Sequence, residues 1–309
     1  MKLVFCGTPQ FAVPTLEALL RGEHDIALVV TQPDRPQGRG LMLADSPVKQ
    51  SAMRHGLRIE QPDKIKNNVE FRTLLEQLAA DAIIVVGYGR IIPPWMLLLP
   101  KFGNINLHGS LLPKYRGAAP IQWAIAEGEP ASGVTTMLLN EGLDTGDILM
   151  QRELAVDPLE SAMSYGQRLA PIGADLMVET LRGLKLGSIK PRPQDHSQAT
   201  LAPILKKEDG RADFNLTAQR IHNRMRGFQP WPGCFTSFRS RKLTIISALP
   251  ISGAGQHAPG ELVVDRDRLL VACDESTLEL LEVQPEGKRS MSAADFIRGY
   301  RPNQSEKLG

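Results

Sequence analysis

LVFCGTPQFAVPTLEALLRGEHDIALVVT, residues 3–31, changes its periodicity twice within one short stretch. Residues 3–6 form an apolar run that stops at a glycine, and residues 26–31 form a second run rich in β-branched side chains. Between them, Pro14 stands in the first turn of a helical pattern over 15–20, where its missing N–H is harmless. A strand, a helix and a second strand in this order predict a βαβ unit with parallel strands.

The same alternation continues to residue 186. Further strand-like runs cover residues 82–86, 104–108, 134–139 and 148–154, and amphipathic helical patterns cover 48–55, 68–79, 119–127 and 161–181. Strands that alternate with helices predict the α/β class with a Rossmann-like, mostly parallel sheet. The turn after the first strand, Gly7-Thr8-Pro9, lacks the second and third glycines of a dinucleotide fingerprint, which argues against an NAD-dependent dehydrogenase.

The composition changes near Gly187. Residues 187–203 hold three prolines and little apolar periodicity, as linkers do. One helical pattern, five short strand-like runs and a last helical pattern follow, which favours a small OB-like β-barrel. The predicted domains are a catalytic domain at 1–186, a linker at 187–205 and an OB-like C-terminal domain at 206–309.

Composition narrows the class of protein. The chain has 309 residues, of which 42% are hydrophobic and 23% charged, and its net charge of +2 does not by itself select a partner. No apolar run approaches the ~20 residues of a membrane span, and no targeting sequence precedes the first strand. Cys6, Cys234 and Cys273 are too scattered for a disulfide framework or a metal site. We expect a bacterial cytoplasmic protein, monomeric, with no metal and no membrane partner.

The candidate catalytic groups cluster around the run Asn104-Ile105-Asn106-Leu107-His108. Alternate residues of a strand share a face, so Asn106 and His108 point the same way, at the sheet edge where open α/β folds bind ligands. Asp144, in a glycine-rich loop, could orient the imidazole and favour its charged form. Each residue alone also fits a cap or a turn. Together they predict a site that polarises a carbonyl group.

Longer motifs extend this pattern. The runs NLHGSLLP (106–113), YRGAAPIQ (115–122) and GLDTGD (142–147) resemble the formyltetrahydrofolate-dependent transformylases, and the second run looks like the methionyl-tRNA formyltransferase family. The resemblance implies formyl transfer from 10-formyltetrahydrofolate to the methionyl amino group of initiator tRNA. It implies a catalytic triad of Asn106, His108 and Asp144. The residues that it implies for folate contact are Ser110, Leu111, Leu112 and Pro113.

A tRNA substrate would be held by Lys and Arg contacts to phosphate. Arg220 and Arg224 stand four residues apart, on one face of the helical pattern at 218–228. The loop after Arg39 has no further base before Lys49, whereas the family often carries extra lysines there. The residues predicted to bind tRNA are Arg39, Lys206, Lys207, Arg220 and Arg224.

Two other functions remain open at this stage. Glycinamide ribonucleotide and sugar-nucleotide formyltransferases use the same donor, although the C-terminal ~100 residues and the run at 118–122 argue against them. A non-catalytic RNA-binding protein on a transformylase scaffold is the alternative from a different class. The intact set of Asn106, His108 and Asp144 argues against that alternative.

Overall fold

The structure, a computed structural model, describes residues 1–22, 24–37, 42–253, 257–304 and 306–309. Its strands, in chain order, are β1 (Lys2–Gly7), β2 (Asp25–Val30), β3 (Arg35–Gln37), β4 (Met42–Ala44), β5 (Ile59–Glu60), β6 (Ala82–Val86), β7 (Asn104–His108), β8 (Ala131–Leu138), β9 (Ile148–Ala155), β10 (Cys234–Phe238), β11 (Arg241–Ser252), β12 (Leu262–Asp265), β13 (Arg268–Cys273), β14 (Ser276–Pro285) and β15 (Met291–Ser292). Its helices are α1 (Val13–Arg21), α2 (Pro47–Arg54), α3 (Val69–Leu78), α4 (Pro94–Leu97), α5 (Pro120–Ala126), α6 (Ala162–Leu186), α7 (Ala218–Gly227) and α8 (Ala293–Tyr300).

The described residues form two units. The first comprises Met1–Pro120, Ala131–Ala155 and Tyr165–Pro203, and the second comprises Ile121–Pro130, Val156–Ser164 and Ile204–Gly309. The predicted division at 186 and 205 remains a prediction.

A seven-stranded sheet organises the described part of the first unit, in the order β5-β2-β1-β6-β7-β8-β9. β5, β2, β1, β6 and β7 run parallel, whereas β8 and β9 are antiparallel additions at one edge. The central strands are buried on both faces, which explains their continuous apolar sequences. Strand order reverses between β1 and β6, so the loops after these two strands open the crevice in which such folds bind ligands.

Local signals place the helices of the first unit. Pro14 lies in the first turn of α1, as predicted, and Leu16 and Leu19 on its buried face are fully inaccessible. α2 begins after Ser46, whose hydroxyl accepts the Lys49 N–H, and α3 begins after Asn68, whose amide oxygen accepts the Phe71 N–H. These side chains satisfy N–H groups that a helix start leaves without partners.

The second unit holds an antiparallel sheet with the strand order β10-β11-β14-β13-β12, and β15 pairs with β14. Its core lies between this sheet and the helices α7 and α8. Ile221 and Met225 of α7 and Phe296 of α8 are buried with the inward-facing residues of the strands. Phe238 and Phe296 pack edge to face with ring centroids 5.2 Å apart, a favoured aromatic geometry.

The predicted fold class, an α/β domain with a mostly parallel sheet followed by a small domain built from strands, is confirmed. The OB-like barrel form of the second domain remains a prediction. Sequence reasoning missed the β3–β4 hairpin, the two-residue strand β5 and the one-turn helix α4. β3 contains Pro36, and a proline inside a short run argues against a strand by pattern alone. Among the described residues, no helix combines the length and apolar character needed to cross a bilayer.

Candidate active site

β7, in the first unit, contains two of the predicted catalytic residues, Asn106 and His108. It pairs in parallel with β6 and antiparallel with β8, with His108 opposite Thr135. The alternation of the strand turns Leu107 toward α6, where a Cβ added at Gly173 would lie 2.7 Å from its side chain. Asn106 and His108 therefore point to the opposite face, about 7 Å apart along the strand. Both are buried, with 8% and 5% of their surfaces exposed.

The His108 ring is held between a backbone carbonyl and a carboxylate. Its Nε2 lies 2.8 Å from the Tyr115 carbonyl oxygen, which can only accept a hydrogen bond, so Nε2 is the donor. Its Nδ1 faces Asp144 Oδ2 at 3.7 Å. The structure therefore brings His108 and Asp144 together although they stand 36 positions apart in the sequence. Nδ1 is the ring nitrogen left to meet a substrate.

The Asp144 carboxylate stands in a strained turn. The residue has φ +50°, in the left-handed region that costs a non-glycine residue about 1–2 kcal/mol. Its Oδ2 accepts the Gly117 N–H at 2.8 Å, and within the described ranges its Oδ1 makes no hydrogen bond. Gly146 closes the turn, because a Cβ there would lie 1.7 Å from the Leu138 carbonyl oxygen. The loop thus presents one carboxylate oxygen to the protein and leaves the other available.

The Asn106 side chain differs from its neighbours. In the part of the chain that the structure describes, its amide makes no hydrogen bond to protein. Asn104, two residues earlier on the same strand, instead donates to the Met96 and Leu97 carbonyl oxygens at 2.9 and 3.2 Å. A buried amide usually has a partner, so Asn106 is a donor and acceptor available to a ligand.

The loop predicted to contact folate follows β7 directly. Ser110 is fully buried, and its hydroxyl donates to the Lys114 carbonyl oxygen at 2.6 Å. Leu112 is buried against Met137 and Ile148. Leu111 and Pro113 are half-buried. The Ser110 and Leu112 side chains thus serve the loop itself, and folate contact by the four residues remains a prediction.

Several residues that shape this edge were missed by sequence reasoning. Thr135 donates its hydroxyl to the Ser110 carbonyl oxygen at 2.6 Å and accepts the Leu112 N–H at 3.1 Å. After β2, Gln32 donates to the Tyr88 and Gly89 carbonyl oxygens at 3.0 and 3.2 Å, which ties it to the loop after β6. The one available signal was the Gly-Tyr-Gly run at 87–89, directly after a buried strand.

The basic residues predicted to bind tRNA fall into different environments. Arg39 lies outside the described residues. Lys206 and Lys207 are exposed. Arg220 is 59% exposed and lies 4.0 Å from Glu127. Arg224 is half-buried, 5.8 and 5.0 Å from the ring centroids of Trp123 and Phe228, and donates to the Asp209 carbonyl oxygen.

Lys49, the next base after Arg39 in the sequence, is engaged by two carboxylates. It pairs with Asp34 and with Asp45, the latter at 2.7 Å. The hydrogen bonds that Lys49 donates to Asp34 and Asp45 raise the pKa of Lys49, and the bond from Lys49 lowers the pKa of Asp34. Its charge is neutralised locally, so Lys49 does not extend a phosphate-binding surface.

The cysteines do not supply a nucleophile. All three are buried as free thiols. Burial raises the pKa of Cys234 and of Cys273 to about 12, so both are protonated at neutral pH. Within the described residues, no group of three or more His, Cys, Asp or Glu side chains could hold a metal ion.

Two family descriptions match this chain in succession. Residues 1–181 match the family described as "Formyl transferase", and residues 204–301 match "Formyl transferase, C-terminal domain". An N-formyltransferase from Helicobacter canadensis, solved with folinic acid and dTDP-3-aminofucose, superposes with a TM-score of 0.68 over 92% of this chain and 99% of that one. At 18% identity, this likeness shows the fold alone.

Closer relatives narrow the family. The methionyl-tRNA formyltransferase of Koribacter versatilis is 59% identical over 100% of this chain and 99% of that protein. The methionyl-tRNA formyltransferase of Acidobacterium capsulatum is 58% identical over the full length of both chains. The chain therefore belongs to the formyl transferase family and, within it, to the methionyl-tRNA formyltransferases. The resemblance that the sequence motifs predicted is confirmed.

Proposed function

We propose that this protein transfers the formyl group of 10-formyltetrahydrofolate to the amino group of methionyl initiator tRNA, giving N-formylmethionyl-tRNA for translation initiation. The observation that carries the proposal is the meeting of an imidazole and a carboxylate, 3.7 Å apart, at the sheet edge where β7 also presents an unengaged amide. Relatives named for this activity match the chain over its full length.

The proposed reaction begins with attack of the neutral methionyl amine on the formyl carbon. A new C–N bond forms, and the carbonyl oxygen becomes an oxyanion in a tetrahedral intermediate. The intermediate collapses when its bond to N10 of the folate breaks, and N10 takes up a proton as it leaves. Overall, one proton moves from the amine to N10, so the protein must stabilise one oxyanion, accept the amine proton and return it to the leaving N10.

Asn106 and His108 are proposed as the donors to the oxyanion. A preorganised donor at such a position contributes about 3–4 kcal/mol to transition-state stabilisation. The Asn106 amide needs no rearrangement to serve, because no protein group among those described engages it. For His108 the donor would be Nδ1–H of the protonated ring, since Nε2–H already donates to the Tyr115 carbonyl oxygen and a neutral ring has only one N–H.

Asp144 is proposed to accept the proton from the attacking amine, directly or through a water. Its Oδ2 is occupied by the Gly117 N–H, which leaves Oδ1 for this role. The carboxylate is 14% exposed, enough for a substrate amine or a single water to reach it. Its place beside His108 would also orient the ring.

The donor is proposed to bind along the carboxyl edge of the sheet, in the crevice between the ends of β1 and β6, with its formyl group toward β7. The loop formed by Ser110, Leu111, Leu112 and Pro113 would border the folate. Because the Ser110 and Leu112 side chains point into the protein, contact from these two would come from their backbone atoms.

The tRNA is proposed to contact the exposed cations of the second unit, namely Lys206, Lys207 and Arg220, with Arg39 as a further candidate. Such contacts release counterions, so affinity should fall steeply with salt. Arg224 is a weaker candidate, because its guanidinium already stacks on two aromatic rings. The monomeric state and the bacterial cytoplasmic location remain predictions.

The decisive experiment offers the purified protein 10-formyltetrahydrofolate with methionyl initiator tRNA, and in parallel with glycinamide ribonucleotide or an amino-sugar nucleotide. Mass spectrometry of the acceptor should find the formyl group on methionyl-tRNA alone. Transfer only to a small acceptor would overturn the proposal in favour of another formyltransferase. Binding of tRNA with no transfer to any acceptor would favour a non-catalytic RNA-binding protein.

The catalytic assignment is tested with Asn106→Ala, His108→Ala and Asp144→Ala. Each should lose most turnover and keep the melting temperature near that of the wild type. Glu141→Gln, an exposed carboxylate in the same loop as Asp144, is the matched control and should retain activity. Near-normal turnover in any of the three would remove that residue from the mechanism.

A further inference from the structure

The side chain of Gln194 uses its full hydrogen-bonding capacity at the candidate site. Gln194 is 6% exposed. Its Nε2 donates to the Asp144 carbonyl oxygen at 2.8 Å and to the Gly146 carbonyl oxygen at 2.7 Å. Its Oε1 accepts from the Arg116 guanidinium, from Nε at 3.1 Å and from Nη2 at 2.7 Å. A glutamine amide has two donor and two acceptor positions, so all four are filled.

The two donated bonds fall on the turn that carries the carboxylate. Asp144 has φ +50°, a conformation that a non-glycine residue keeps only where its surroundings impose it. Gln194 bridges the carbonyl groups of Asp144 and of Gly146, two residues later, and so fixes the turn across its tightest part. The direction of the Asp144 side chain depends on this turn.

Arg116 connects the same bridge to the other catalytic group. Its guanidinium is buried, and its partners in the described part of the chain are Gln194 and His196, without a carboxylate. The residue before it, Tyr115, provides the carbonyl oxygen that holds His108 Nε2, and the residue after it, Gly117, provides the N–H that holds Asp144. Three consecutive residues thus fix both catalytic groups, and Gln194 closes the connection between them.

The backbone around Gln194 is anchored independently of its side chain. Arg192 exchanges two backbone hydrogen bonds with Ile148, both at 2.8–2.9 Å. Farther along, Thr200 accepts the Arg116 N–H at 2.8 Å, and Ala202 donates to the Arg116 carbonyl oxygen at 2.7 Å. Gly117 fits against this segment with φ +124°, where a Cβ would lie 2.6 Å from the Ala202 carbonyl oxygen. A change of the Gln194 side chain therefore leaves the segment in place.

We propose that Gln194 is a positioning residue for the formyl-transfer reaction, which holds the Asp144 carboxylate beside His108 through the Asp144–Gly146 turn and the Arg116 guanidinium. The inference rests on the proposed function and adds a residue from the segment that the sequence assigned to a linker. Gln194 does not touch the reacting atoms. Its effect is to keep the carboxylate in the geometry in which it can accept the amine proton.

The first test compares Gln194→Glu with wild type in steady-state formyl transfer. The glutamate keeps an acceptor for Arg116 and cannot donate to the Asp144 and Gly146 carbonyl oxygens. We expect kcat to fall about 10- to 100-fold, as it does when a catalytic group is misplaced by about 1 Å, with KM for the folate within twofold. Gln194→Ala should give at least the same loss. Gln198→Ala, an exposed glutamine of the same segment bonded to Asp195, is the matched control and should leave kcat unchanged.

The second test does not depend on activity. Within the described residues, the Gly117 amide has one partner, Asp144 Oδ2, so its hydrogen exchange reports whether the carboxylate is in place. In Gln194→Glu, exchange at Gly117 should accelerate about tenfold, while the Ala202 amide, bonded to the Arg116 carbonyl oxygen, keeps its wild-type rate. This measurement is meaningful even if wild-type protein does not formylate methionyl-tRNA, an outcome that would refute the proposed function alone.

A kcat within twofold of wild type in Gln194→Glu overturns the positioning role. So does an unchanged Gly117 exchange rate, or an equal acceleration at Gly117 and Ala202, which would mark general loosening of the fold. Loss of kcat with selective acceleration at Gly117 supports it.

Discussion

Strand β7 and helix α7 both carry polar residues that the sequence predicts to be functional, but the environments of these side chains differ between the two elements. On β7, Asn106 and His108 share the face at the carboxyl edge of the sheet, and His108 meets Asp144 there. On α7, Arg220 and Arg224 share a helical face as predicted, yet one is exposed and the other stacks on aromatic rings. The position of a residue at the end of a strand fixes where its side chain lies. On a helix surface, the residues packed around each side chain decide whether it is exposed or buried.

The largest expected effect lies on β7 and separates two asparagines. Asn106→Ala should lower kcat by about 10²–10³-fold, the loss typical of one oxyanion donor, with little change in stability. Asn104→Ala, two residues away, should cost about 1–3 kcal/mol of stability, because it leaves the buried Met96 and the partly buried Leu97 carbonyl oxygens without their donor. Its kcat should be unchanged where the protein is folded. Steady-state kinetics and thermal unfolding of both variants check this. Equal kinetic losses would mean that the strand, and not the Asn106 amide, is what matters.

On α7, Arg224→Ala should destabilise the fold by about 1–2 kcal/mol, because the guanidinium covers the Trp123 and Phe228 rings. Denaturant unfolding measures the change. The comparison with β7 would need revision if Arg224→Ala kept full stability and lost tRNA binding, since Arg224 would then be a ligand-contacting residue.

His222 of α7 should make the stability of the protein depend on pH. Burial, and then the nearby Arg226 charge, lower the pKa of His222 to about 4 from 6.5. The folded state therefore holds a neutral ring over a range in which the unfolded chain binds a proton, so stability is lost as pH falls from 6.5 toward 4. His222→Gln should remove a decline in Tm of about 2–4 °C between pH 6.5 and pH 5. The exposed His55→Gln variant should keep the wild-type decline, and a His222→Gln profile parallel to wild type would contradict the assignment.

The smallest effect is expected at Arg220. Its contact with Glu127 is long and exposed, so Arg220→Ala should change stability by less than about 0.5 kcal/mol. If it contacts a phosphate, tRNA affinity should fall about two- to threefold, with a shallower salt dependence. A salt titration of tRNA binding, with the Lys206→Ala/Lys207→Ala double variant alongside, tests this. An unchanged salt slope would remove Arg220 from the tRNA surface.

The strands and helices of the first unit were predictable because their apolar patterns are long and because glycine, proline and capping residues mark their ends. β6 and β7 match the predicted runs residue for residue, and Pro14 lies in the first turn of α1 as expected. The β3–β4 hairpin was not predictable, since its strands have three residues each and one contains a proline.

The sequence by itself determined the fold class, the family and the three candidate catalytic side chains. The spacing of apolar residues, the short motifs and the carboxyl end of a strand can all be recognised from residues that are close together in the chain. Only the tertiary structure decided that the Nδ1 of His108 is left for a substrate. It also decided that the Asn104 amide is hydrogen-bonded to backbone carbonyl groups whereas the Asn106 amide has no partner among the described residues. It also brought Gln194 from an apparent linker to the carboxylate turn. These outcomes depend on which backbone carbonyl groups lie within hydrogen-bonding distance, and residues 50 positions apart, such as Asp144 and Gln194, meet only when the chain has folded.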